Sequence, residues 1–183
     1  MWELVTAEAA DRIAVLRRSH SAERFGEAIR LLLNARSILT YGFGATGIVA
    51  EHLAQQMRRI GLPSRRIRGS GFQLADEMLS IERDSAIVLF VPGRYPREVE
   101  VLLDRCHTVG VTTILITHEL AERLAGSVTL VIDAPNTSTG LSAEALSPLI
   151  VADALAQGIA ALDVERTVQS SHTLGTIRRQ LGY

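Results

Sequence analysis

The sequence predicts an α/β fold: a three-layer α/β/α sandwich built on a five-stranded parallel sheet of the flavodoxin-like or Rossmann-like kind. Two observations lead there. Short, almost wholly apolar runs rich in β-branched residues recur along the chain, and each is followed by a longer segment whose apolar residues fall at helical spacing. Parallel neighbours need crossover connections, so this alternation argues for a parallel sheet with helices on both faces. Strands with no polar face agree with burial on both sides. A chain of 183 residues, 47% of them hydrophobic, suits one domain with one sizeable core.

Taken in order, residues 7–18 and 23–35 read as two helices joined near Ser19, His20 and Ser21, with Ser21 or Ala22 at a cap position. They are expected to cover one edge or face of the sheet. Strands are predicted at 37–41, 86–91, 112–117 and 128–132, with a weaker fifth at 63–68. After the first strand, Ile48, Leu53 and Met57 share a helix face. A polar loop at 134–140 leads into an apolar segment at 141–162, and a final helix is predicted over 164–181. Leu146, Leu149, Ile150, Val151, Leu155 and Ile159 lie on overlapping faces of that segment, more than one sheet face needs, so a homodimer or homotetramer is expected. No repeat or linker interrupts the chain, and residues 1–183 are read as a single domain.

The charge balance, Lys+Arg 19 against Asp+Glu 20, gives no global pull toward nucleic acid or an anionic membrane. Cys106 is the only cysteine and has no intramolecular partner; within 102–106 it reads as a buried helical position rather than a nucleophile. A cytoplasmic setting is expected, because the start Met1-Trp2-Glu3-Leu4 has no leader pattern and no run approaches the roughly 18 apolar residues of a membrane span. His20, His52, His107 and His118 have no ligand spacing, so neither metal nor cofactor is expected.

The chemistry concentrates at Gly42-Phe43-Gly44-Ala45-Thr46-Gly47, between the first strand and its helix. A helix N-terminus at the carboxyl edge of a sheet offers free N–H groups and the positive end of the helix dipole to an anion. Gly42 and Gly44 permit close approach, and the Thr46 hydroxyl is a candidate phosphate donor. Alternatively, the segment is a simple tight turn with Thr46 as a cap. It also spells G-x-G-x-x-G, the dinucleotide pattern. NAD would want an acidic residue at the end of the second strand, where Arg65, Arg66 and Arg68 stand instead; those suit the 2′-phosphate of NADP, which stays open as a competitor.

Residues 37–61 resemble the opening of a sugar isomerase (SIS) domain, in the version found in RpiR/MurR-type transcriptional regulators, and the resemblance extends through Leu181. It implies a five-stranded parallel sheet, dimer or tetramer assembly, and a phosphorylated sugar held by Gly42, Gly44, Ala45 and Thr46. The family's second phosphate loop, Ser-x-Ser-Gly-x-Thr, falls on Phe90-Val91-Pro92-Gly93-Arg94-Tyr95, where only Gly93 is retained. Arg94, Arg97 or the Tyr95 phenol are candidate substitutes for the lost hydroxyls, and Phe90, Val91, Pro92 and Tyr95 are expected to make a narrower, more apolar mouth. If the chain is an isomerase of this family, Glu144 and His172 are the candidate base and relay. A binding or sensing role in sugar metabolism is the leading reading; isomerisation of an aldose or ketose phosphate is the second, and a purely structural oligomerisation domain the third. About 36 residues precede the first strand, too few for a separate helix-turn-helix reader, so specific nucleic-acid binding and membrane binding are not expected.

Overall fold

The apolar runs form the strands they predict. The computed structural model describes residues 1–19, 22–136 and 145–183. Its elements are α1 (Trp2–Ser19), α2 (Ala22–Leu33), β1 (Ser37–Gly42), α3 (Ala45–Arg59), β2 (Ser64–Arg66), α4 (Gly71–Leu79), β3 (Ser85–Phe90), α5 (Arg97–Val109), β4 (Thr112–Thr117), α6 (Ala121–Leu124), β5 (Leu130–Asp133), α7 (Leu146–Leu162) and α8 (Val164–Gln180). The sheet is parallel throughout, in the order β2-β1-β3-β4-β5. Register sets Thr40 beside Arg66 on one side and Val88 on the other, and Gly42 beside Phe90. The winding reverses between β1 and β3, which opens a crevice beyond their carboxyl ends; in open α/β sheets that switch point is where ligands bind.

Alternation along the strands divides the core in two. Ile38, Val88, Phe90, Ile114 and Ile132 face α2, α3 and α7, where they meet Leu32, Leu53, Met57 and Leu155. Leu39, Ile87, Leu89 and Leu115 face the other way, onto Leu74 and Met78 of α4, Leu102 and Cys106 of α5, and Leu124 of α6. These are the three expected layers.

Element ends differ where side chains or proline interrupt the ladder. The second strand is three residues long rather than six, because it is an edge strand and Pro63 has no N–H; its flanks persist as single bonds, Ile38 N–H to Pro63 C=O and Ile67 N–H to Thr40 C=O. The fifth starts at Leu130 rather than 128: before it a single backbone bond persists, Thr129 N–H to Thr113 C=O at 2.9 Å, while the Thr113 N–H donates to the Thr129 hydroxyl at 3.0 Å. The first helix begins at Trp2, five residues earlier than the periodicity places it. His20 and Ser21 lie outside the described residues.

The segment expected to drive assembly is largely used up inside the fold. Val151, Leu155 and Ile159 of α7 are buried against α2, α3 and the sheet, and Gly158 lets Ile29 of α2 pack where a β-carbon would collide with it. Two faces of α7 are covered internally, which accounts for a composition richer than one sheet face requires. Exposed apolar side chains gather on α1 (Trp2, 79% exposed; Leu4; Val5) and α8 (Val164, Val168, Ile177), with others at Ile48 of α3, Phe72 and Leu79 of α4 and Leu162 at the end of α7. Among the described residues no single helix is long and apolar enough to cross a membrane.

Cys106 sits at 1% exposure, and burial pushes its thiol from the ordinary 9.0 up to about 11. Below pH 9 the thiol is neutral in both states; above it the unfolded chain ionises while the folded one does not. Stability is therefore expected to be intact below pH 9 and to fall as pH rises to 11, by about 3 kcal/mol from this group. Urea unfolding at pH 8 and pH 10.5 checks this, with a shallower fall expected in Cys106→Ala. Equal slopes for the two proteins would refute it.

Candidate functional site

The crevice is built first by the turn from β1 into α3. A β-carbon on Gly42 would lie 2.5 Å from the Thr46 carbonyl oxygen, so only glycine lets the strand end approach the first helical turn this closely. Gly44, the N-cap of α3, takes φ 56° and ψ −132°, a conformation that L side chains rarely adopt. Within the turn, Gly47 N–H donates to Gly44 C=O at 3.1 Å; among the described residues the N–H groups of Gly44, Ala45 and Thr46 have no backbone acceptor. Three donors and the positive end of a four-turn helix thus converge at the switch point.

The Thr46 side chain takes a different part from the one its hydroxyl suggests. It is 2% exposed, and its Oγ1 lies 2.9 Å from both the Phe43 and the Phe90 carbonyl oxygens, which share its single proton. The hydroxyl therefore clamps the first turn of α3 to the end of β3, and the outward donors are main-chain.

Beside this turn, the Arg66 guanidinium reaches the same place from β2. Its Nη2 donates to Gly42 C=O at 3.2 Å, and a β-carbon on Gly47 would collide with it. The neighbouring arginines are engaged elsewhere: Arg65 bonds Glu77 of α4 and Ser80 just after it, and Arg68 pairs with Glu51 of α3 at 2.6 Å. The cluster that a 2′-phosphate would require is thereby divided among three directions.

The second loop, 91–96, follows β3. Pro92 C=O accepts the N–H groups of His118 and Glu119, both at 3.2 Å, which fastens this loop to the end of β4. The N–H groups of Gly93, Arg94 and Tyr95 have no backbone acceptor among the described residues. A β-carbon on Gly93 would collide with the Glu119 carboxylate. Arg94 and Arg97 are exposed, and Arg97 pairs with Glu100 at 2.7 Å. Tyr95 turns away toward α6, its ring under the Arg123 guanidinium with 4.5 Å to the centroid. The narrow apolar mouth does not form. Strand alternation sends Phe90 into the α3 core and Val91 into the α5 core, both fully buried.

The far wall carries polar groups that motif reading missed. His118 Nδ1 and Asp133 Oδ1 lie 2.7 Å apart at the ends of β4 and β5, and Asn136 donates to Glu119 at 3.1 Å. Their signal in the sequence is positional: each falls just beyond the carboxyl end of a predicted strand, where α/β sheets bind ligands.

Of the two catalytic candidates, only His172 falls among the described residues. Glu144 lies outside the described residues. His172 is exposed on α8, whose Thr173 and Ile177 line a groove with Gln55, Arg58 and Arg59 at the far end of α3, about 15 Å along the helix from Thr46 at 1.5 Å per residue. Among the described residues no three His, Cys, Asp or Glu side chains converge as a metal would require.

The SIS domain family model matches residues 31–157. An HTH-type transcriptional regulator of Escherichia coli strain K12, YfhH, is 30% identical over 98 residues, which is 54% of this chain and 34% of that protein. The matched stretch thus spans about a third of that relative. Among solved structures, the sugar isomerase domain of the RpiR transcription factor from Sphaerobacter thermophilus superposes with a TM-score of 0.89 at 18% identity, covering 96% of this chain and 98% of that one. The Vibrio vulnificus NanR protein, complexed with ManNAc-6P, gives 0.83 at 16% identity over 98% of this chain and 69% of its own. At these identities the superpositions speak to the fold, and they agree with the sheet and layers described above. With the family match covering more than half of its length, this chain belongs to the SIS domain family.

Proposed function

We propose that this chain binds a phosphorylated sugar in the crevice between residues 42–47 and 92–95, in the cytoplasm, and that binding serves sensing in the regulation of sugar metabolism. The observation that carries this reading is the set of free N–H groups at Gly44, Ala45 and Thr46 on the N-terminus of α3, at the point where the sheet order reverses. Membership of the SIS family supports it, as do the NanR complex with ManNAc-6P and the HTH-type regulator among the relatives. Gly93, Arg94 and Tyr95 contribute main-chain donors, and the polar wall of His118, Glu119, Asp133 and Asn136 suits the hydroxyls of a sugar.

Isothermal titration with N-acetylmannosamine 6-phosphate and a panel of hexose and pentose phosphates, each beside its unphosphorylated parent, tests the reading. Binding of at least one phosphate ester and none of the parents is expected. Absence of all binding at millimolar ligand would defeat it in favour of a structural domain. Isomerase turnover lost in Glu144→Gln would defeat the binding-only form.

A homodimer or homotetramer is part of the proposal, resting now on α1 and α8. Trp2, Leu4, Val164, Val168 and Ile177 leave apolar surface in water on the two helices least buried by the rest of the chain. Light scattering at micromolar concentration is expected to give at least twice the mass of one chain, and Val168→Asp to lower it. A monomeric wild type would contradict the proposal.

A further inference from the structure

We propose that Arg66 supplies the positive charge of the phosphate subsite, reaching the glycine turn from the edge strand through the gap that Gly47 leaves. The inference rests on the phosphosugar reading and assigns a residue that the glycine pattern does not contain.

Placement comes from the alternation of β2. Arg65 and Ile67 point to the α4 side, where Arg65 meets Glu77 and Ile67 is buried, so Arg66 points to the α3 side, beside Thr40. From there its guanidinium lies against the first turn of α3. Nη2 bonds the Gly42 carbonyl, and both Nη2 and Cζ occupy the space where a side chain at Gly47 would begin. Gly47 is thus required by the arginine, whereas Gly42 is required by the Thr46 backbone.

The charge there is unmatched. Among the described residues no carboxylate pairs with Arg66, and its Nε–H is buried without an acceptor, while Arg65 and Arg68 on either side each hold a glutamate. A cation also stands at the wrong end of a helix: the dipole favours anions at the N-terminus and cations at the C-terminus. Half-burial, an orphaned donor and repulsion from the helix end all oppose this placement in the empty protein. A doubly charged phosphate ester bound at the N–H groups of Gly44, Ala45 and Thr46 reverses the electrostatic term, because it faces the helix dipole and the guanidinium together.

The second loop gives the reason such a charge is needed. Three hydroxyl positions of the family pattern are Phe90, Pro92 and Tyr95 here; the first is in the core, the second has no N–H, and the third stacks under Arg123. Arg94, the replacement nearest in sequence, is exposed, and the Glu119 carboxylate stands against Gly93 on that flank. With the hydroxyl donors lost and a carboxylate present on the β3–β4 side, the cation on the β2 side fixes the ligand class as a phosphate monoester dianion, in preference to a neutral sugar.

The test uses the full chain, N-acetylmannosamine 6-phosphate or whichever phosphate ester of the panel binds most tightly, and titrations at two salt concentrations. Arg66→Gln is expected to lose tenfold or more in affinity and to show a weaker salt dependence, while Arg59→Gln, at the far end of α3, stays within twofold. Arg66→Lys keeps the charge without the planar fork and is expected to lose several-fold; it also serves if the glutamine variant fails to fold by circular dichroism. Wild-type binding with affinity unchanged within twofold in the folded variants overturns the role of Arg66 and leaves the phosphosugar reading standing. No binding by the wild type overturns that reading, and this inference with it.

Discussion

Gly42→Ala is expected to cost about 3 kcal/mol of stability and to abolish the proposed phosphosugar binding. The added carbon meets the Thr46 carbonyl oxygen at 2.5 Å, its carbon at 2.8 Å and the Gly47 nitrogen at 3.1 Å. All three are backbone atoms of the first helical turn, so no flexible side chain can swing aside. Relief requires α3 to move away from β1. That movement breaks the bond from Thr46 Oγ1 to Phe90 C=O and shifts the Gly44, Ala45 and Thr46 N–H groups together. Gly47→Ala is the informative contrast, because its methyl meets chiefly the tip of the Arg66 side chain, which can move, and backbone only at the Gly42 carbonyl oxygen, 3.1 Å away. Its cost in stability is expected to be smaller, with ligand affinity reduced through Arg66. Urea denaturation and calorimetric titration of both variants measure the difference; a Gly42→Ala protein as stable as wild type would show that the turn is looser than its contacts imply.

The contrast bears on what a sequence can reveal about such a site. The strands were legible because apolar runs such as Ala86-Ile87-Val88-Leu89-Phe90 admit few other readings, and the glycine turn because its spacing requires a backbone bend. The Thr46 hydroxyl was legible as a donor but not in its direction. Direction depends on Phe90, 44 residues away, ending its strand beside Gly42. Arg66 was legible only as one of three arginines near the second strand; which of them turns to the glycine turn follows from the pairing of an edge strand only three residues long, a feature set by tertiary contacts. The apolar excess of 141–162 reads as outward-facing in the sequence, whereas Val151, Leu155 and Ile159 of its described part fold inward, because α2 and α3 lie on the side that the sheet leaves open. The proposed assembly surface is then on α1 and α8, whose weaker apolar patterns attract no notice in the sequence.

The second large effect concerns Phe90, which stands where the family pattern has a hydroxyl donor. Phe90→Ser restores that hydroxyl in name, yet it is expected to destabilise the protein by about 3–5 kcal/mol and to leave binding no tighter. The ring is fully buried among the residues that join the sheet to α3 and α7, and its own carbonyl receives the Thr46 hydroxyl. Serine at this position leaves a cavity and an unpaired hydroxyl in the core beneath α3, the helix whose N-terminus carries the proposed phosphate donors. If Phe90 instead faced the mouth, the same change would be nearly neutral to folding and would improve phosphate affinity. Thermal and urea unfolding beside titration of one phosphate ester separate the two outcomes. A stable, tighter-binding Phe90→Ser would reinstate the apolar mouth; a destabilised variant with unimproved affinity means that the core beneath α3 is what holds the N–H groups of its first turn in place.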